Sequence, residues 1–199
     1  MYNWRKMSKE QQDEVLQQRQ IMRRPWHSPP HKEGKTKQYI LTSSCYEHKT
    51  IIGLSATRMA FFENELIKLV ESESSSIYGW VILPNHYHIL LKCDDIFKLL
   101  KQFHQLHGKT SFQWNKAENK QGRKVWCNTL ERAIKNERHF YATLNYIHHN
   151  PVKHRYVKKW TDWVYSSAAF YLKQKGREQV LKEWNEYNID KMGNCWDEF

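Results

Sequence analysis

The sequence predicts an α+β fold of the split β-α-β, ferredoxin-like kind. An antiparallel βαββαβ sheet would carry helices on one face, with one additional helix and a C-terminal helical extension. Three observations predict it. Short runs rich in β-branched and aromatic residues recur along the chain, amphipathic stretches of near-helical spacing separate them, and the resulting order is β-α-β-β-α-β-α. The chain has 199 residues, 40% of them apolar and 14% aromatic, which is enough for one packed domain and too little for two large ones.

Residues 1–37 are polar and basic, are broken by Pro25, Pro29 and Pro30, and read as an arm with a helix over 9–22. Within the arm, Arg23, Arg24 and Trp26 interleave cations with a ring, a combination suited to phosphate contact and base stacking, or equally to anchoring the arm on the core through Trp26. The domain proper is expected over 38–151, with an aromatic-rich extension packed on it over 152–199.

QYILTSSCY (38–46) reads as the first strand, and Met59, Phe61, Phe62, Leu66 and Leu69 recur at helical spacing within a helix over 55–70 that Ser55 can cap. IYGWVIL (77–83) reads as a buried strand, Pro84-Asn85 as a turn, and HYHILLK (86–92) as the returning strand of a hairpin. Asp94 is suited to cap a helix over 95–106, and the polar GKTSFQWNKAENKQGRK after it reads as a loop. Val125-Trp126-Cys127 reads as a short further strand. A helix over 137–149 is expected to stop at Asn150-Pro151, because the residue before a proline avoids the helical region. The remainder, with Trp160, Trp163 and Trp184, suits two short helices.

Lys plus Arg number 32 against 21 Asp plus Glu, a formal charge of +11 that favours a polyanionic partner such as nucleic acid. Cys45, Cys93, Cys127 and Cys195 form no Cys-x-x-Cys pair, which argues against a zinc knuckle and against a disulfide scaffold. No apolar run approaches the roughly 20 residues of a membrane span, and MYNWRKMSKEQQ does not resemble a signal peptide, so a cytoplasmic location is expected. A GxxxxGK[ST] phosphate loop is absent, and no nucleotide cofactor is expected.

Two short patterns carry chemistry. In His86-Tyr87-His88 on a strand, residues i and i+2 share a face, so both imidazoles can address one divalent ion while Tyr87 points the other way. Taken alone, ordinary hydrogen-bonded histidines fit as well. In the helix ending at Pro151, Tyr146 and Asn150 lie four apart and therefore one turn from each other. A phenol can act as a nucleophile, and an amide oxygen one turn away can act as a third metal donor. A core tyrosine and a helix-ending asparagine account equally for that pair in isolation.

Taken together, NHYH followed by NYIHHNPVKHRYV resembles the REP-associated tyrosine transposases, which belong with the single-tyrosine transposases of small bacterial insertion sequences. The resemblance runs from about residue 26 to 170, marked by RPWHSPPH, WVILPNHYHILLK, ERHFYATLNYIHHNPVKH and DWVYSS. It implies that His86 and His88 hold Mg²⁺ or Mn²⁺ and that Tyr146 cuts single-stranded or hairpin DNA through a 5′-phosphotyrosine link. By the same resemblance Asn150 is the third ligand, with Glu131 and His149 as competing donors. Lys153, His154 and Arg155 are placed to hold phosphates, and Trp114, Trp126 and Trp160 join Trp26 as candidate stacking surfaces, with burial in the core the more favoured account of each tryptophan. Relatives divide between monomer and homodimer. Three other readings stand beside transposition-type cleavage: a DNA-binding regulator that keeps the fold without transposing, a water-dependent phosphodiesterase in which Tyr146 has no catalytic role, and a replication-initiator or relaxase nickase, which shares the chemistry but not these local motifs.

Overall fold

The structure, a computed structural model, describes residues 7–21, 37–73 and 76–189. The chain divides into two compact units, one of Met1–Lys32 with Gly193–Phe199 and one of Glu33–Met192. In the first, helix α1 (Lys9–Ile21) opens on a capping box. Ser8 Oγ accepts from the Gln11 amide at 3.3 Å while Gln11 Oε1 accepts from the Ser8 amide at 3.0 Å, so two end donors are satisfied reciprocally. Arg23, Arg24 and Trp26 lie outside the described residues.

The second unit runs β1 (Gln38–Ser44), α2 (Ala56–Ser72), β2 (Ser76–Ile82), β3 (His86–Lys92), α3 (Ile96–Ala117), β4 (Leu130–Ala133), α4 (Glu137–Lys153), α5 (Ala168–Lys175) and α6 (Arg177–Glu186). The strands are ordered β2-β3-β1-β4 and every pairing is antiparallel, which is the ferredoxin-like arrangement expected. No described helix is long and apolar enough to cross a membrane.

Strand alternation gives the sheet two different faces. Tyr39, Leu41, Tyr87, Ile89 and Leu91 join Phe62 and Leu66 of α2 and Phe103 of α3 in one apolar core. Ile40, His86, His88 and Leu90, the intervening residues, point to the opposite face, where α4 packs across β2 and β3. The His86-Tyr87-His88 pattern thus sets both histidines on the face that the additional helix covers.

Four local expectations are corrected. The fourth strand is Leu130–Ala133, whereas residues 125–127 make only an isolated bridge between Cys45 and Trp126. Trp126 serves as a core plug, stacked on His107 at 4.3 Å and on Phe62 at 5.1 Å. The expected loop after residue 106 is helix: α3 continues to Ala117 because His107, Thr110 and Trp114 extend the buried stripe begun by Phe103. That burial outweighs the roughly 1 kcal/mol that Gly108 costs a helix. Asp95, not Asp94, caps α3 by accepting from the Lys98 amide at 2.9 Å, while Asp94 pairs with Lys37. Helix α4 also passes through Pro151 and ends at Lys153, since a proline in the last turn forfeits little more than its own hydrogen bond.

Gly79 decides how closely α4 approaches the sheet. It follows an irregularity in the β2–β3 register, and a Cβ built there would lie 2.5 Å from Leu144 Cδ1 of α4. Gly79→Ala is expected to destabilise the fold by about 1–3 kcal/mol through overpacking, read as a lower urea midpoint. An unchanged midpoint would mean that α4 is not held at this distance.

Candidate active site

The centre lies between β3 and α4. His86 and His88 project from one face of β3 with ring centroids 5.1 Å apart, and both are buried. Tyr87, between them, points into the opposite core and bonds through its hydroxyl to His107 Nε2 at 3.0 Å. Burial pushes His107 down to about 3, so the buried pair on that side is neutral.

Each imidazole is oriented through its Nδ1. Asn85 donates its amide nitrogen to the His48 carbonyl at 3.2 Å, which turns Asn85 Oδ1 toward His86 Nδ1 at 2.7 Å. An amide oxygen only accepts, so His86 Nδ1 carries a proton, and whenever the ring is neutral its Nε2 presents a lone pair. Thr42, opposite His88 in the β1–β3 register, places Oγ1 2.7 Å from His88 Nδ1 and orients that ring from the neighbouring strand.

Helix α4 starts where Asn136 accepts from the His139 amide at 2.8 Å, and its 3.6-residue period then aims Tyr146, Asn150 and Lys153 at the histidines. Asn150 Oδ1 lies 3.3 Å from His86 Nε2, and the Tyr146 hydroxyl lies 3.5 Å from His88 Nε2. With a neutral His86 the Asn150 contact sets an amide oxygen against a lone-pair nitrogen, which a cation between them relieves; with Nε2 protonated it is a hydrogen bond. Asn150 Nδ2 is buried without a hydrogen-bond partner. Two imidazole nitrogens and one amide oxygen fit a divalent ion with positions left open for substrate oxygen. Among the described residues no three His, Cys, Asp or Glu side chains converge as a metal site.

The two competing donors face elsewhere. Glu131 pairs with core-facing Leu41 and so points to the α2–α3 side of the sheet. His149 packs on Trp184, with ring centroids 5.4 Å apart. His154 rests edge-on against His86 at 5.1 Å, Arg155 is exposed, and Lys153 holds its Nζ 5.3 Å from the Tyr146 ring centroid. Trp114 and Trp126 are buried in the core and are not stacking surfaces, and Trp160 is half-buried between His148 and Trp184.

Three neighbours escaped the sequence reading. Asn85 was within reach of it, being adjacent to His86. Thr42 and Arg132 were not, because only strand register brings them in. Arg132 pairs with Ile40 and so shares the face of the histidines. Burial lowers its guanidinium, and the nearby Tyr146 phenol opposes that shift.

No family model matches the chain. It is similar to the REP-associated tyrosine transposase of Escherichia coli K12, at 30% identity over 122 residues covering 57% of this chain and 67% of that protein. A relative from Haemophilus influenzae given the same family name is 36% identical over 96 residues, covering 43% of this chain and 54% of that protein. The chain therefore spans about half the length of the Haemophilus relative. Among solved structures, a REP-associated tyrosine transposase bound to a REP hairpin matches with a TM-score of 0.58. That match is 21% identical, covers 74% of this chain and 86% of the other, and bears on the fold.

Proposed function

This chain belongs to the REP-associated tyrosine transposases, and from that premise we propose that it cuts and rejoins single-stranded DNA beside a REP-like hairpin. In this reading Tyr146 is the nucleophile, and His86, His88 and Asn150 hold Mg²⁺ or Mn²⁺. One observation carries it: two imidazole nitrogens, an amide oxygen and a phenol converge within 3.5 Å contacts on the α4 side of β3.

When bound, the ion supplies Lewis-acid polarisation of the phosphate's non-bridging oxygens. The remaining work falls to the chain. Asn85 and Thr42 hold the two rings through Nδ1, so that each Nε2 faces α4, one toward Asn150 and the other toward Tyr146. Tyr146 Oη bonds to phosphorus as the bond to the 3′ oxygen breaks; the phenol proton passes to solvent and the departing 3′ oxygen gains one. One phosphodiester is exchanged for a phosphotyrosine, so a DNA 3′ hydroxyl can reverse the step without a nucleotide cofactor. Lys153, over the ring, stabilises negative charge on the phenol oxygen and on an arriving phosphate. His86, His88, Tyr146 and Asn150 are each no more than 1% exposed, so side chains over them must move before DNA reaches the phenol. The long flexible stem of Lys153 suits that movement.

The test is incubation of the full chain with labelled hairpin DNA carrying single-stranded flanks, with Mg²⁺ or Mn²⁺. A protein–DNA adduct that survives denaturation is expected, and EDTA should abolish it. Cut product without an adduct would favour a water-dependent hydrolase. Tight binding with neither would favour a DNA-binding regulator.

A further inference from the structure

We propose that the segment 153–159 with Trp163 forms the track along which the single-stranded flank leaves the active site, one base stacking on Tyr156 and its phosphates resting on Arg155, Lys158 and Lys159. This rests on the DNA-cleavage reading above and adds to it where the flank lies.

The first observation is a continuous line of rings from the centre outward. His88 meets the Tyr146 ring at 5.2 Å, His86 meets His88 at 5.1 Å and His154 at 5.1 Å, and His154 meets Tyr156 at 6.3 Å. Tyr156 then lies 5.3 Å from Trp163 at a 33° tilt, too close to admit a base between them. Trp163 is pinned by its Nε1 donating to the Ile82 carbonyl at 2.8 Å, so the pair is a fixed platform. Tyr156 is its accessible part, 41% exposed. An exposed tyrosine backed by a fixed tryptophan has the chemistry of a stacking surface for an unpaired base, whatever its sequence.

Charge is the second observation. Lys153, Arg155, Lys158 and Lys159 are all exposed, and no acidic residue falls between 153 and 159. That arrangement follows a sugar–phosphate backbone.

Backbone conformation is the third. Helix α4 ends in a Schellman motif, with the Tyr156 amide donating to the Pro151 carbonyl and the Arg155 amide to the Val152 carbonyl, both at 2.9 Å. The C′ position of that motif favours glycine, yet Arg155 occupies it at φ 60°. The turn brings Tyr156 back over His154, and the chain keeps a cation where its backbone would be more stable with glycine.

The experiment measures binding by fluorescence anisotropy in EDTA. The ligands are one hairpin with a single-stranded flank at either end and the same hairpin blunt. Since no cleavage is needed, failure of the nucleophile assignment would not disturb it. Tyr156→Ala should weaken binding of a flanked hairpin by roughly 5- to 50-fold and leave the blunt one within about twofold, with Tyr156→Phe restoring most of the loss. Arg155→Gly should melt no lower than wild type, bind the flanked hairpin several-fold more weakly and reduce the salt slope by about 0.7. 2-Aminopurine placed along the flank should be quenched at one position by wild type and not by Tyr156→Ala. Equal losses on flanked and blunt ligands, or quenching at no position with wild type, would overturn the proposal.

Discussion

Tyr146→Phe is expected to abolish the denaturation-resistant adduct, and to lower cleavage by on the order of 10⁴-fold or more, as loss of a covalent nucleophile does. The fold should be nearly indifferent to the change. The ring stays in its buried place between His88 and Lys153, and the phenol oxygen approaches His88 Nε2 at 3.5 Å, too long for a strong hydrogen bond. Stability should change by on the order of 1 kcal/mol. Affinity for hairpin DNA should hold, which separates a chemical defect from a binding one.

Three other tyrosines around the sheet and α4 offer no ready substitute. Tyr87 lies on the opposite face of the sheet, Tyr171 donates to buried Glu183 at 2.5 Å, and Tyr141 stacks on Tyr187 at 5.0 Å. Phosphotyrosine formation at any of them would need the sheet or the C-terminal helices to open. An adduct that persists in Tyr146→Phe on a denaturing gel would remove the nucleophile assignment altogether.

How much of this was readable beforehand depends on whether a residue's partners are near in sequence. HYHILLK was placed to the residue as β3, because Pro84-Asn85 bounds it and the two-residue alternation is local. The Tyr146 and Asn150 pair was equally legible, since a helix turns four residues into one step. β4 was not. LERA carries two charges and little β preference, and it is extended because Tyr39 to Thr42 pair with it, a dependence that nothing within residues 130–133 announces. The second half of α3 was hidden by Gly108 and a polar run, although Thr110 and Trp114 already stood in step with Phe103. Thr42 acts on His88 only through the β1–β3 register, 46 residues away. The tryptophans show the limit of composition. Trp114 and Trp126 differ from an exposed stacking residue in where the fold puts them, and cations nearby in sequence do not reveal that.

His88→Ala is the substitution expected to act next most strongly, because it removes an ion donor and breaks the link to the neighbouring strand at once. In wild type, Mn²⁺ at about 100 times its dissociation constant should stabilise the protein by about 2.7 kcal/mol, seen as a rise in melting temperature. That rise should vanish in His88→Ala and in His86→Ala, together with the adduct. Without metal, His88→Ala should also melt lower, since the half-buried Thr42 hydroxyl loses the nitrogen 2.7 Å from it and the packed ring leaves a void. Thr42→Val separates the two effects. Both donors remain but His88 loses its orienting bond, so metal affinity should fall by roughly 10- to 100-fold and high Mn²⁺ should recover the adduct. His149→Ala, whose ring faces Trp184, should leave the Mn²⁺ response intact. A metal-induced rise that survives in the His86→Ala, His88→Ala double variant would locate the ion elsewhere, and the 3.3 Å approach of Asn150 Oδ1 to His86 Nε2 would then be a plain hydrogen bond from a protonated ring.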